Sequence, residues 1–204
     1  MSIYDLKKLE TPRIILRPVQ VGDEIALNAS VNRSLDSLQK WMPWAKDTNL
    51  AATQNFIHTN AIGWKKRTGN NFPMAVIHKE TQQIIGNSGF NEDSIVPAGI
   101  YTIGYWLDIA FQGQGLVTEF VNGLTRYALD GLGAKAVHIQ IDKANNKSIG
   151  VANRLGFEPI LLTDQEETNN TILFRRVNTS LLPPMYIIWY TTESLDPPSN
   201  TLIN

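Results

Sequence analysis

Two closely spaced glycines, Gly113 and Gly115, lie in the part of the sequence where the chemistry is most apparent. Before them, Ile100–Ile109 is rich in β-branched and aromatic residues, which favours a strand. After them, apolar residues recur at helical spacing from Leu116 to Leu132. A glycine turn lets the backbone approach a ligand, and a helix N-terminus offers unpaired N–H groups and a positive dipole end. The segment from residue 101 to 118 therefore predicts a site for a phosphate or pyrophosphate.

Neither of two familiar phosphate loops matches this segment. The pattern G-x-x-x-x-G-K-[ST] does not occur, and G-x-G-x-x-G would need glycine at position 118, where the chain has Thr118. A nucleotide-binding domain is disfavoured because no lysine or acidic metal ligand accompanies the glycines.

The composition is that of an ordinary globular protein of 204 residues with a formal net charge of −1. We expect one domain over residues 1–204, with a core at about 10–192 and a loosely ordered tail at 193–204. Lysine and arginine are not clustered, which argues against nucleic-acid and membrane partners. The sequence does not define an oligomeric state, and a homodimer is one open alternative.

Cysteine is absent, so disulfides, thiolate metal sites and a cysteine nucleophile are excluded. The three histidines His58, His78 and His138 form no ligand pair, and we expect no metal. The N-terminus is too charged for a signal peptide, and no apolar run is long enough to span a bilayer. A cytoplasmic enzyme or binding domain is expected.

Elements in the first half of the chain follow from periodicity and from turn residues. Arg13–Val19 predicts a first strand, and the stretch from Gly22 to Gln39 predicts two short helices broken near residues 32–34. Thr48–Thr68 predicts a helix with Thr48 or Asn49 as its N-cap. Three strands then predict an antiparallel meander, at 71–79, 84–91 and 100–109, and Gly86 and Gly89 indicate a bulge or a close backbone contact.

In the second half, the helix after the glycine turn should end at Gly131 and Gly133. It is followed by a strand at 134–143, a helix at 145–155 and a strand from 157 to 163. Residues 164–170 are polar and acidic and predict a loop. The last two strands, at 171–177 and 185–192, are expected to pair with each other.

Two motifs resemble those of the GCN5-related N-acetyltransferases, the GNAT superfamily. Gln112, Gly115 and Val117 occupy the fixed places of a [Q/R]-x-x-G-x-[G/A] signature, with Val117 in place of the usual small residue. Asn145–Phe157 resembles the N-x-x-S-x-x-v-A-x-x-L-G-F helix of the RimJ/RimL branch. The resemblance covers most of residues 10–192. It implies a mixed α/β (α+β) fold with a mostly antiparallel, splayed sheet flanked by helices.

The resemblance also implies acetyl-CoA as the cosubstrate. Backbone N–H groups in the turn would hold its pyrophosphate, and the backbone of Leu107 and Ile109 would bind the pantetheine arm, with Asn145 and Ser148 on the other side of the cleft. The turn residues implied in cofactor binding are Gln112, Gly113, Gln114, Gly115, Val117 and Thr118.

For catalysis, the resemblance implies an amine that attacks the thioester directly. The Leu107 N–H would stabilise the oxyanion. Many relatives have a general-acid tyrosine at the position of Ala152, and Ser148 is the expected substitute. Glu167, with Glu166 beside it, is the expected base; a water chain is the alternative, and Glu92 and Asp93 are reserve candidates.

The acceptor stays open at this point. Trp41 and Trp44 lie in a WMPWA segment that resembles the acceptor-flanking segment of the RimJ/RimL branch, and they would either cover a substrate pocket or close the core. The acceptor would be the α-amino group of a protein, including a ribosomal protein, or a small amine such as a polyamine, an amino acid or an antibiotic. A non-catalytic acyl-CoA-binding module is the competing hypothesis.

Overall fold

Strands dominate both ends of the chain, and the long helices lie between them. The computed structural model describes residues 1–46, 48–160 and 170–192, together with the backbone of Leu202 and Ile203. The strands are β1 (Leu6–Glu10), β2 (Ile14–Pro18), β3 (Phe72–His78), β4 (Ile84–Phe90), β5 (Ile100–Leu107), β6 (Ala136–Asp142), β7 (Glu158–Ile160), β8 (Thr171–Arg176), β9 (Met185–Tyr186), β10 (Ile188–Thr191) and β11 (Leu202–Ile203). The helices are α1 (Glu24–Arg33), α2 (Leu35–Leu38), α3 (Leu50–Lys66), α4 (Leu116–Arg126) and α5 (Asn146–Arg154).

Nine strands form one sheet in the order β10-β1-β2-β3-β4-β5-β6-β8-β7, and β9 pairs separately with β11. All neighbouring strands are antiparallel except β5 and β6, which are parallel. That parallel pairing joins Ile100–Thr102 to Ala136–His138 and goes no further, so β5 and β6 separate towards their C-terminal ends. The predicted splayed, mostly antiparallel sheet flanked by helices is confirmed.

Helices cover both faces of the sheet, and two consecutive residues of β5 show how. Tyr105 points towards α4, where its ring meets Phe120 edge to face. Trp106 points to the opposite face, where it contacts Trp44 and packs with Val31 of α1. Because successive side chains of a strand face opposite sides, the C-terminal half of β5 lies between the two helical layers.

Most predicted helices are confirmed, and their ends have local causes. The two-helix prediction for residues 22–39 is correct, with Ser34 between α1 and α2. The Asn49 side chain caps α3 by accepting a hydrogen bond of 2.8 Å from the Ala52 N–H. Helix α4 buries Leu116, Phe120 and Leu124 completely or nearly so, and it continues as a π-helical turn, Tyr127–Gly131.

Two strand predictions need correction. Strand β5 ends at Leu107, and residues 109–111 form a 3-10 turn whose Ala110 N–H donates to the Asp108 carboxylate at 3.0 Å. Strand β1 was missed because its buried residues, Leu6 and Leu9, are three apart and do not alternate. A register shift between Leu6 and Lys8 places both side chains in the core.

The expected pairing of the last two strands is wrong. Strand β8 lies between β6 and β7, whereas β10 pairs with β1 at the opposite edge of the sheet. The connecting chain is held on α4, because buried Arg126 donates to the carbonyls of Leu182 and Pro183 at 3.2 and 3.3 Å. These long-range bonds direct the chain back across the helix, so a local hairpin does not form.

The domain division and the tail stay predictions. Residues 161–169, 193–201 and 204 lie outside the described residues, as do the last three residues of the strand predicted at 157–163. None of the helices in the described part of the chain combines the length and apolar character needed to cross a bilayer.

Close backbone contacts explain Gly86 and Gly89 of β4. A Cβ at Gly86 would overlap the carbonyl oxygen of Trp106, and a Cβ at Gly89 would overlap that of Phe72. The predicted close contact is therefore confirmed at both positions, and the register of β4 against β3 also shifts between Val76 and Ile77, as in a bulge.

Replacing Gly89 tests this packing. Gly89→Ala should lower the free energy of unfolding by about 3 kcal/mol, because the new methyl group meets a backbone carbonyl and the φ of 140° is unfavourable for alanine. Gly22→Ala is the control, since its φ is 107° and no atom lies within 4 Å of the added Cβ. That variant should lose only about 1 kcal/mol. Equal losses in urea titrations of the two variants would contradict the proposed contact.

Candidate functional site

The glycine turn has the geometry of an anion site. Gly113 and Gly115 have φ values of 77° and 78°, in the left-handed region, and Gly115 is the N-cap of α4. No acceptor for the backbone N–H groups of residues 113–118 is found within the described chain. The N–H of Gln112 differs, because it donates to the Ile109 carbonyl at 3.3 Å. The turn thus presents a row of free donors at the positive end of a helix dipole.

Three cationic side chains surround this turn, and none of them was identified from the sequence. Arg13 donates to the Gln114 carbonyl at 3.0 Å, Lys147 to the Gln112 side chain at 3.2 Å, and Arg154 to the Thr118 hydroxyl at 3.3 Å. Arg13 lies in the connection between β1 and β2, and Lys147 and Arg154 lie in α5. The arrangement adds positive charge to the field of the helix N-terminus and favours a ligand with several phosphates.

Glu119, in the first turn of α4, ties the turn to the β1–β2 connection. Its carboxylate accepts hydrogen bonds from the Thr11 hydroxyl at 2.6 Å, the Arg13 N–H at 2.8 Å and the Arg13 guanidinium at 2.7 Å. The side chain of Glu119 is 9% exposed, so this contact is largely shielded from solvent. Glu119 therefore fixes Arg13 beside the glycine turn.

The C-terminal edge of β5 is open on the side of β6. The Asp108 N–H donates to Ile85 of β4 at 2.7 Å, and the Leu107 carbonyl accepts from the Gln112 side chain at 3.0 Å. Because the N–H groups of consecutive strand residues point to opposite edges, the Leu107 N–H faces the gap between β5 and β6. This agrees with the direction needed for the predicted oxyanion donor.

Ile109 does not continue this edge. It lies in the 3-10 turn, and its N–H already donates to the Ser34 hydroxyl at 2.9 Å. The expectation that its backbone extends the pantetheine-binding strand is therefore not supported by the hydrogen bonding. Its carbonyl and its side chain, which is 54% exposed, are what it could offer a ligand.

A cavity of about 570 Å³ opens between the helices on the Trp106 face and the splayed strands. Trp41 and Trp44 line it and remain 37% and 46% exposed, so they form its wall and do not close the core. Asn145 and Ser148 also line it, as do Tyr105 and Trp106 of β5. The fold thus brings together residues predicted as acceptor-binding and residues predicted as catalytic.

Ser148 lies in the first turn of α5 and is one of the residues that line the cavity. Its N–H donates to the Asn145 side chain at 3.2 Å, so Asn145 is the helix cap as well as a cavity residue. The Ser148 side chain also makes a hydrogen bond with the Tyr105 phenol, which offsets part of the effect of burial on the pKa of Tyr105. The local capping role belongs to Asn145, so the Ser148 hydroxyl is not used in capping α5 and interacts with Tyr105.

Tyr105 faces Ser148 across the gap. Its phenol donates to the Ser148 carbonyl over 3.5 Å, a long hydrogen bond. Burial raises the pKa of Tyr105 to about 12, so the phenol is protonated at neutral pH. Sequence analysis missed Tyr105, and no motif could have identified it, because its position beside α5 depends on how β5 and α5 pack.

The predicted base is not tested by the structure, because Glu166 and Glu167 lie outside the described residues. Of the reserve candidates, Glu92 lines the cavity, and its carboxylate accepts no hydrogen bond within the described ranges. Asp93 does not line it and accepts from Asn91 at 3.4 Å. Asp142 also lines the cavity and was missed, but its carboxylate already accepts from the Ala144 N–H at 2.8 Å.

The two ends of the cleft differ in charge. Glu92 and Asp142 are the charged residues among the described ones that line the cavity, and no lysine, arginine or histidine is among them. Arg13, Lys147 and Arg154 lie at the glycine turn. An anionic group at the turn and a cationic group in the cavity are therefore the complementary ligands.

Comparison with known proteins assigns the class. The model of the acetyltransferase (GNAT) domain family matches residues 13–158, which include the glycine turn and α5. The chain belongs to this family and is an N-acetyltransferase by class. An uncharacterized N-acetyltransferase, p20 of Bacillus licheniformis, is 27% identical over 169 residues, which cover 82% of this chain and 92% of that protein.

Solved structures share the fold. The microcin C7 self-immunity acetyltransferase, in complex with acetyl-CoA and AMP, matches with a TM-score of 0.72 and 24% identity over 82% of this chain and 93% of its own. The ribosomal alpha-N-protein acetyltransferase RimL, in complex with coenzyme A, matches with a TM-score of 0.70 and 23% identity, over 82% of this chain and 95% of its own. RimJ of Mycobacterium smegmatis, in complex with CoA-disulfide, matches with a TM-score of 0.70 and 16% identity, over 84% of this chain and 86% of its own. The predicted resemblance to the RimJ/RimL branch agrees with these neighbours.

Proposed function

We propose that this protein transfers the acetyl group of acetyl-CoA to a primary amine bound in the cavity between Trp41, Trp44 and Ser148. The observation that carries the proposal is the open β5 edge, which lies between the free N–H groups of the glycine turn and the cavity. A donor molecule could lie along this edge with its phosphate end at the free N–H groups of the glycine turn and its reactive end at the cavity.

The residues around the turn fit coenzyme A. The pyrophosphate would accept hydrogen bonds from the N–H groups of residues 113–118, and Arg13, Lys147 and Arg154 would neutralise phosphate charge. The amides of a pantetheine arm match the unpaired edge of a strand. When bound, acetyl-CoA would supply an acetyl group activated as a thioester.

The protein's own groups would then handle charge and protons. The Leu107 N–H would stabilise negative charge on a carbonyl oxygen in the gap between β5 and β6. The Ser148 hydroxyl would give a proton to the leaving thiolate, in the role that the resemblance implies. Glu167, Glu92 or a water chain would take the proton from the amine.

The cavity supports an acceptor that enters as a cation. Aromatic walls and the carboxylates of Glu92 and Asp142 favour an ammonium group, whereas no described cavity residue would neutralise a carboxylate. The α-amino group of a protein, including a ribosomal protein, or a polyamine fits these charges better than a free amino acid. We propose the protein α-amino group as the first candidate, in line with the RimJ/RimL resemblance.

Binding and thiol release test the proposed function. Acetyl-CoA at 100 times its dissociation constant should stabilise the protein by about 2.7 kcal/mol, which corresponds to roughly 5–10 °C in Tm. Thiol release should then exceed background with unblocked peptides and should fall to background when the peptide N-terminus is acetylated. Free amino acids should be poor acceptors and polyamines intermediate.

Four outcomes are distinguishable. Release with unblocked peptides supports the proposal, and release with polyamines alone changes the acceptor class. Acetyl-CoA binding without release across the whole panel would favour the non-catalytic module. Absence of both binding and release at millimolar acetyl-CoA would overturn the proposed function.

A further inference from the structure

Asp108, directly after β5, carries a fully buried carboxylate that the chemistry above does not use. Its side chain is 0% exposed, and one of its oxygens accepts a hydrogen bond from Arg33 Nε at 2.8 Å and lies 2.6 Å from Arg33 Nη2 in an ion pair. The same oxygen accepts from the Ser30 hydroxyl at 3.0 Å. Both partners belong to α1, so the end of β5 is bound to this helix through a charge-assisted contact.

The other carboxylate oxygen of Asp108 shapes the chain that leads into the glycine turn. It accepts from the Ala110 N–H at 3.0 Å and thereby caps the 3-10 turn at residues 109–111. Next to it, the Ile109 N–H donates to Ser34 at the end of α1. The chain between Leu107 and Gln112 is therefore held on α1 by side-chain contacts at two consecutive residues.

Helix α1 also forms part of the cavity wall. Leu27 and Val31 line the cavity, whereas Ser30 and Arg33 reach Asp108. One helix thus contacts both the cavity where the amine would bind and the segment that carries the Leu107 N–H. A shift of the Asp108 contact would move the oxyanion donor and the start of the turn relative to the acceptor.

We propose that Asp108 is a positioning residue for acetyl transfer, with Arg33 as its partner. It would hold the Leu107 N–H and the start of the glycine turn at a fixed position against α1, and it would not itself touch the reacting atoms. The inference rests on the proposed function, because the reaction it serves is the transfer of acetyl from acetyl-CoA.

Asp108→Asn tests the inference, with Asp23→Asn as a matched control. Asp23 also has a buried carboxylate, 5% exposed, that binds an arginine with both oxygens: Arg17, at 2.7 and 2.8 Å. Asp23 is the N-cap residue at the opposite end of α1, and its carboxylate binds Arg17 and the Gln20 N–H, which belong neither to the cavity lining nor to the glycine turn. Both changes remove one charge from a buried Asp–Arg pair. A difference between the two variants in kcat or in cosubstrate affinity would therefore result from where the pair lies in the fold.

Four measurements separate positioning from stability: Tm, amide hydrogen exchange, acetyl-CoA affinity and kcat. Asp108→Asn should lower kcat about 50-fold, because small displacements at a reacting centre cost up to roughly 10²-fold. It should weaken acetyl-CoA binding by only about 5-fold and speed exchange in residues 107–113. Asp23→Asn should lower Tm about as much as Asp108→Asn does. It should leave kcat, acetyl-CoA affinity and hydrogen exchange in residues 107–113 unchanged.

Arg33→Gln provides a second variant if Asp108→Asn does not fold, because the Arg33 side chain is 49% exposed. It should change the same quantities in the same direction but by less. Equal kinetic effects of Asp108→Asn and Asp23→Asn, or unchanged exchange in residues 107–113, would overturn the positioning role. If the wild type fails to bind acetyl-CoA, the proposed function is lost, and hydrogen exchange still decides whether Asp108 holds this segment.

Discussion

Gly115→Asp should abolish acetyl-CoA binding at cosubstrate concentrations that saturate the wild type, while the free energy of unfolding falls by only about 1 kcal/mol because of the positive φ. Gly115 has a φ of 78° and is the N-cap of α4. Aspartate tolerates the left-handed region better than most residues and is a good N-cap near a positive dipole end. The fold should therefore accept the change.

Binding should be lost because the new carboxylate competes with the cosubstrate. It would accept the N–H groups of the first helical turn that the pyrophosphate needs, and it would lie close to Arg13, whose guanidinium is 3.7 Å from a Cβ at position 115. Repulsion between a carboxylate and one phosphate charge about 5 Å away is about 3 kcal/mol at an effective dielectric constant of 20. The dissociation constant should rise more than about 100-fold.

Gly133→Asp is the matched control for this change. Gly133 also has a positive φ, 68°, lies beyond the C-terminal end of the same helix, and has no atom within 4 Å of an added Cβ. It introduces the same charge at the other helix end, so acetyl-CoA affinity, measured by calorimetry, should not change by more than about 2-fold. If both variants still bind like the wild type, the glycine turn does not hold the pyrophosphate.

Ser148→Ala should lower kcat about 100-fold with the best amine of the panel, which is the lower range for loss of a general acid. The dissociation constant of acetyl-CoA should stay within about 2-fold, because the hydroxyl would serve the leaving group and not the phosphates. Asn145 caps α5 through the Ser148 backbone N–H, so the helix should persist without the side-chain hydroxyl. Ser37→Ala, on α2, should leave kcat unchanged.

Tyr105→Phe distinguishes the two hydroxyl groups of the gap. The pKa of Tyr105, raised to about 12 by burial, keeps the phenol protonated, so wild type and Tyr105→Phe should share one pH profile below about pH 10. We expect a loss in kcat of less than about 5-fold. If Tyr105→Phe lowered kcat about 100-fold and Ser148→Ala lowered it only slightly, Tyr105 and not Ser148 would be the proton donor.

Features with local causes could be predicted from the sequence. The glycines at 113 and 115 adopt positive φ, α4 follows at once, and Asn145 and Ser148 lie together at the start of α5. Each of these depends on residues a few positions apart, through side-chain periodicity, capping or the freedom of glycine. The family motifs depend on the same short spacings, which is why the resemblance was recognised from them.

Features that depend on distant contacts could not be predicted. Arg13 reaches a turn about a hundred positions further along the chain, and the buried Asp108 binds Arg33, which lies 75 positions before it on α1. The position of β10 beside β1 likewise depends on Arg126 holding Leu182 and Pro183. In each case the partner of a charged side chain lies far away in the sequence, and no local pattern identifies it.

The sequence by itself therefore determined the class of this protein, its glycine turn and the helix that carries Ser148. The tertiary structure decided the rest of the site: which cations surround the turn, which residues share a cavity with Ser148, and that Ile109 leaves the strand after Leu107. The physical reason is that a turn or a helix cap is stabilised by neighbours in the chain. A cleft exists only where β5 and β6 separate and where helices from both faces meet that gap.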